Sequence, residues 1–165
     1  MSLNTVVVAD SARARFFVER FTKHPAASSD YRLEELADLI HPEARLGDDA
    51  QLSDPRTGSF RSAGGAPGHS LGDHRDARRD EQDKQFAAEI IQTALEFCRD
   101  HGAPRIILAA DPRMLGLLRN FTDQLGKQGI ALRDIAKDFS RMRPDEIHSL
   151  LTKSELLPWM PEVTG

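Results

Sequence analysis

The densest run of side chains able to do chemistry is Gly68-His-Ser-Leu-Gly-Asp-His-Arg-Asp76. His69, Asp73, His74 and Asp76 are imidazoles and carboxylates, types that ligate divalent metals or exchange protons at a reacting centre. Their spacing fits no metal-ligand motif, and ligands on a loop are poorly preorganised. The composition therefore favours a solvated segment, and no metal or cofactor is expected. Around this run stand Arg56, Arg61, Arg75, Arg78 and Arg79, so the stretch is basic within a chain whose formal charge is −4. Guanidinium forks suit phosphate and carboxylate alike, which makes Arg113 and Arg119 further binding candidates.

Other reactive types read as structural. Ser11 has neither a neighbouring histidine nor a Gly-x-Ser-x-Gly setting, so it is no nucleophile. Cys98 shares a helical stripe with Ile91 and Leu95 and is expected buried and inert. Arg13 and Arg15 alternate on one strand face, where Glu34 or Glu35 of a neighbouring strand can pair with them. His41 precedes Pro42 and ends a strand, because the residue before proline is pushed to extended geometry.

These groups are positioned by a recognisable series of elements. The run at 5–9 (Thr-Val-Val-Val-Ala) is a strand, and the period-two run at 12–19 is a second with one face inward, forming an antiparallel hairpin. Leu33, Leu36, Leu39 and Ile40 recur at near-helical spacing, yet the hairpin context favours a third strand over 31–40. Residues 53–78 hold five glycines (58, 64, 65, 68 and 72) and only Phe60 and Leu71 as large apolar groups. Such a stretch buries too little to offset its ordering entropy, and predicts a flexible Gly/Arg-rich loop. A helix follows over 79–101, with Asp80, Glu81 and Asp83 in its first turn and Gly102 as its stop. Residues 106–110 (Ile-Ile-Leu-Ala-Ala) predict a strand buried on both faces, Asp111 an N-cap, Pro112 the first helical position, and Met114, Leu117, Leu118, Phe121 and Leu125 one apolar helical face. Gly126 and Gly129 are expected to bracket a turn, and a last strand over 130–137, a Pro144-initiated helix and an irregular capping tail with Trp159 complete the chain.

A length of 165 residues suits one domain spanning 1–165. The 39% apolar and 29% charged composition fits a soluble domain with a polar loop. The single cysteine excludes an internal disulfide, no apolar run approaches the ~20 residues of a membrane span, and no secretory signal is evident. A cytoplasmic protein is expected. Strand-helix-strand units imply right-handed crossovers and parallel pairing for the later strands. The fold class is α/β, a single-domain mixed sheet flanked by helices.

Val6-Val-Val-Ala-Asp-Ser-Ala-Arg-Ala-Arg15, then His41-Pro-Glu-Ala-Arg45, Ser53-Asp54, the Gly64-Gly65 pair, Ala109-Ala-Asp-Pro-Arg-Met-Leu-Gly-Leu-Leu-Arg119 and Lys137-Asp138 together resemble the bacterial host attachment protein family. That family in turn is similar to the central domain of archaeal and eukaryotic peptide-chain release factors. The resemblance implies a ribonuclease-H-like sheet and an interaction role. In release factors a Gly-Gly-Gln tip enters the peptidyl-transfer centre; here Gly64-Gly65 is followed by Ala66, which argues against release-type hydrolysis. The leading expectation is a non-enzymatic interaction protein. Its Gly/Arg-rich loop, through Arg61, Gly64, Gly65, Arg75, Arg78 and Arg79, with Arg113 and Arg119 nearby, contacts RNA, the ribosome or a protein partner. The alternative is a hydrolase of a phosphoester or peptidyl-tRNA ester using His69, Asp73 and His74.

Overall fold

The computed structural model describes residues 2–22, 31–43 and 68–159. Its elements are β1 (Ser2–Ala9), β2 (Arg13–Phe21), β3 (Tyr31–Ile40), α1 (Gly68–His101), β4 (Arg105–Ala110), α2 (Pro112–Arg119), α3 (Asp123–Lys127), β5 (Ala131–Ala136) and α4 (Pro144–Lys153). The strands form one sheet in the order β3-β2-β1-β4-β5. β1 pairs antiparallel with β2, and β2 with β3. β1 with β4, and β4 with β5, are parallel. The expected mixed sheet with flanking helices is what the chain forms.

The two central strands are apolar on both faces because both faces are covered. Val7, Ala9, Phe16, Val18, Ile106 and Leu108 point to one side, under Phe86, Ile90, Ile91 and Ala94 of α1, Met114 and Leu118 of α2 and Leu125 of α3. Val6, Val8, Phe17, Ile107 and Ala109 point to the other, under Ile147 and Leu151 of α4 and Leu157 of the tail. Burying each large side chain of this kind contributes about 1.5–3 kcal/mol.

Four local expectations are corrected. First, β2 does not leave one face wet. Arg15, Phe17 and Glu19 are buried beside Ala14, Phe16 and Val18, because α4 and the 139–142 turn cover that side and supply partners. Second, α1 starts at Gly68 and not Arg79, so 68–78 is helix; residues 53–67 lie outside the described part. From Arg75 onward the chain is rich in good helix formers, which extends the helix past its packed portion. Third, the helix after Pro112 is two helices. Asn120 and Phe121 donate to carbonyls three residues back, at Leu117 and Leu118, and the Thr122 hydroxyl donates to Arg119 O. These tight bonds break the axis before α3. Fourth, Gly126 sits inside α3, and the turn that follows is made at Gly129, whose φ is +75°.

Helix stops agree with glycine chemistry. Gly102 has φ +61°, and the Ala103 amide donates to Cys98 O, the closing bond of a Schellman motif. Asp111 Oδ1 accepts the Met114 amide at 2.9 Å, and Pro112 takes the first helical position, as expected. The tail caps the α4 face as far as Trp159, whose ring is half-buried with the Arg133 guanidinium 4.3 Å from its centroid.

Candidate functional site

α1 has 34 residues, a length of about 51 Å, whereas six-residue β4 spans about 20 Å. Burial shows which part of the helix the sheet holds. Residues 75–81 are exposed throughout, and Asp83 is the first buried side chain along the helix among those described. The helix therefore has a packed portion from Asp83 to His101 and an amino-terminal arm before it. On that arm Arg75, Arg78 and Arg79 stand at i, i+3 and i+4, so they share a face. All three are exposed and none forms an ion pair with another described residue.

At the root of the arm a buried carboxylate is shared. Asp83 Oδ2 accepts from Arg113 Nη1 at 2.7 Å, and Asp83 Oδ1 lies 3.3 Å from His41 Nε2. Arg113 Nη2 donates to Asp80 Oδ1 at 2.9 Å. His41 Nδ1 accepts the Glu43 amide at 3.1 Å, so the ring proton sits on Nε2, facing Asp83. The His41 amide donates to Ala12 O, and its ring packs on Phe86 with centroids 4.6 Å apart. The node thus joins the ends of β3 and β4 to α1. The Asp83 and Asp80 hydrogen bonds, in that order, raise the Arg113 pKa above its ordinary value.

The other predicted arginines are engaged as well. Arg15 makes a bidentate pair with Glu35 at 2.8 and 2.9 Å and donates from Nη1 to the carbonyls of Ser140 and Met142 at 3.1 and 2.7 Å. This hydrogen bonding holds the Glu35 carboxyl below the usual glutamate range. Arg13 lies 3.2 Å from Asp38, and Arg20 2.6 Å from Glu34. Arg119 is bidentate to Asp134 at 2.9 and 3.0 Å. The expected strand pairing of Arg13 and Arg15 is what the sheet contains, while the forks of Arg113 and Arg119 are occupied within the chain.

His69, Asp73 and His74 lie in the first turns of α1, with their side chains outside the described part, as are Arg61, Gly64 and Gly65. Among the described residues no three His, Cys, Asp or Glu side chains converge as metal ligands would. Burial raises the Cys98 thiol pKa, as suits an inert packing residue. Sequence reasoning missed the node at Asp83. Asp80 and Asp83 read as first-turn acids of a helix starting at 79. With the start at Gly68 they are mid-helix, and their partner is a guanidinium on α2. No local pattern connects positions 41, 83 and 113; only the fold does.

Fold and site together define a mixed-sheet α/β domain that extends a long charged helix past its own body. The chain belongs to the family described as "Protein required for attachment to host cells", whose profile matches residues 5–151. A search of curated proteins found no match. No helix among the described residues is long and apolar enough to cross a membrane.

Proposed function

We propose that this host-attachment family member is a non-enzymatic interaction protein that contacts RNA, free or at the ribosome surface, through its Gly/Arg-rich segment. The observation that carries the reading is the arginine face of the α1 arm: Arg75, Arg78 and Arg79 are exposed together with no acidic partner among the described residues. By contrast, Arg13, Arg15, Arg20, Arg113, Arg119 and Arg143 all hold carboxylates. Three aligned, exposed guanidinium groups with no acidic partner among the described residues are placed to engage an external anion. The direction toward the ribosome comes from the proposed distant kinship with the release-factor central domain. Ala66 stands where the hydrolytic glutamine would be, so the role is docking and not peptide release. Attachment is then an effect that follows from contact with RNA.

Co-sedimentation with ribosomes over a salt series tests this. Binding carried by arginine–phosphate contacts weakens steeply as salt rises. The variant Arg75→Gln/Arg78→Gln/Arg79→Gln is expected to stay in the supernatant at every salt concentration. Absence of wild-type binding even at low salt would sink the reading.

A further inference from the structure

At the end of the sheet away from the arm's root lies a second cluster of buried polar side chains. Asn4, Glu19 and Arg105 are all inside the fold. Asn4 is the hub: its Nδ2 donates to Glu19 Oε1 at 2.7 Å, and its Oδ1 accepts from Arg105 Nε at 3.0 Å. His148 of α4 faces the same carboxylate, with Nε2 3.4 Å from Glu19 Oε2. That nitrogen is buried and has no hydrogen-bond partner among the described residues. A buried polar atom left in this state disfavours the closed packing around it.

The segment 154–159, which follows α4, ends on this cluster. Trp159 O lies 3.5 Å from Asn4 Nδ2, and the Arg133 and Arg105 guanidiniums stand 4.3 and 5.9 Å from the centroid of the indole. Arg133 Nη1 also donates to Leu156 O at 3.4 Å. Both hydrogen bonds are longer than the usual range, and Leu157 is the one buried residue of the six. The junction with α4 is strained. Ser154 N still donates to Leu150 O, as in the helix, whereas the amides of Leu156 and Leu157 both turn back to Leu151 O. Between them Glu155 has φ +62°, the left-handed region that Gly102 occupies after α1. A residue with a Cβ is disfavoured there by about fivefold or more. One apolar anchor and two long bonds thus hold the segment, against a strained junction and an unsatisfied atom in the cluster behind it.

From this we infer that residues 154–159 form a strap that opens about Glu155 while the sheet stays folded, uncovering the Asn4–Glu19–Arg105 cluster and releasing the Trp159 ring. The strap lies at the opposite end of the sheet from the arginine arm, so it stands or falls apart from the RNA reading. Trp159 is the chain's one tryptophan, so its fluorescence reports the strap directly. In the full chain under native conditions, acrylamide quenching of Trp159 and hydrogen exchange at the Leu156 and Leu157 amides should report the same opening. After correction for intrinsic rates, that exchange is expected to be about tenfold or more faster than at the β4 amides of Ile106, Ile107 and Leu108. Glu155→Gly relieves the junction and should slow exchange at both leucines about threefold, the relief outweighing glycine's extra freedom in the open strap. Arg133→Ala removes the nearer guanidinium and should speed it about two- to fivefold. Wild-type exchange at Leu156 and Leu157 equal to that of β4 would overturn the inference, because the tail would then unfold only with the sheet. Variants that shift the two leucines and the β4 amides by the same factor would overturn it as well, by reducing their effects to global stability.

Discussion

Substituting Asp83→Ala takes away a carboxylate that two side chains share, and its cost can be built from the geometry. The His41 Nε2 proton, in a side chain only 5% exposed, loses its acceptor. An unsatisfied buried donor costs about 1–3 kcal/mol. The Arg113 bond at 2.7 Å is lost as well, but that guanidinium is 51% exposed and is re-solvated, so its share is at most about 1 kcal/mol. The sum is about 1–4 kcal/mol. Asp83→Asn keeps a carbonyl acceptor for His41 but turns its amide NH2 toward the Arg113 donor, losing the charge and that exposed bond, so about 1 kcal/mol is expected. Asp80→Ala removes a partner that is 62% exposed and should cost less than about 0.5 kcal/mol. Urea denaturation with a constant m-value reads these differences as midpoint shifts. In thermal melts Asp83→Ala should fall by about 2–16 °C, at about 2–4 °C per kcal/mol for a chain of this size. If Asp83→Ala proves no more destabilising than Asp80→Ala, the node is not a shared buried contact and the account of the arm's root fails.

Two further outcomes follow from the packing. Glu35 has a depressed folded-state pKa, so its pairing stabilises the fold above its unfolded pKa of about 4.3 and that stability is lost as pH falls through the folded value. Glu35→Gln should therefore destabilise by about 1 kcal/mol at pH 7, and its denaturation midpoint should converge with wild type as pH drops below the usual glutamate range. Leu108→Ala, at a fully buried position, should cost about 2–5 kcal/mol, whereas Ile40→Ser, at 49% exposure, should stay within about 0.5 kcal/mol; equal midpoint shifts for the two would contradict the two-faced core.

Strand β4 and the capped turn after it were legible because each signal is local. Branched apolar residues, an Asp N-cap and a Pro at the first helical position specify neighbours in sequence. Strand β3 was ambiguous for a physical reason. Between Phe16 and Phe17 the partner register skips from Ala37 to Glu35, leaving Leu36 in a bulge. The extra residue reverses the alternation, so Leu33 packs under the α4 face and Leu39 under the α1 face. The resulting three-residue spacing imitates a helix. The polar face of β2 misled for another reason. Arg15 was expected to pair with an acid of the next strand and does, but the carbonyls of the 140–142 turn that bury it come from far along the chain, and Glu19 is held by Asn4 of β1. In the candidate site the arginines were legible as residue types, but the pairing of Arg113 with Asp80 and Asp83 arises only when α1 and α2 meet.

The bulge at Leu36 has a consequence for crowding. β3 is the outermost strand of its edge, with half-exposed Ile40 at one end and half-exposed Phe21 of the neighbouring β2 at the other. A flat ten-residue edge of that kind would template strand addition by a neighbouring molecule. With Leu36 out of register, an incoming strand meets one regular run over 31–35 and another over 37–40, offset in the faces they present. Neither run is long enough to zip a second sheet onto the first. The irregularity that disguised the strand in the sequence thus also interrupts the regular row of donors and acceptors along this edge of the sheet.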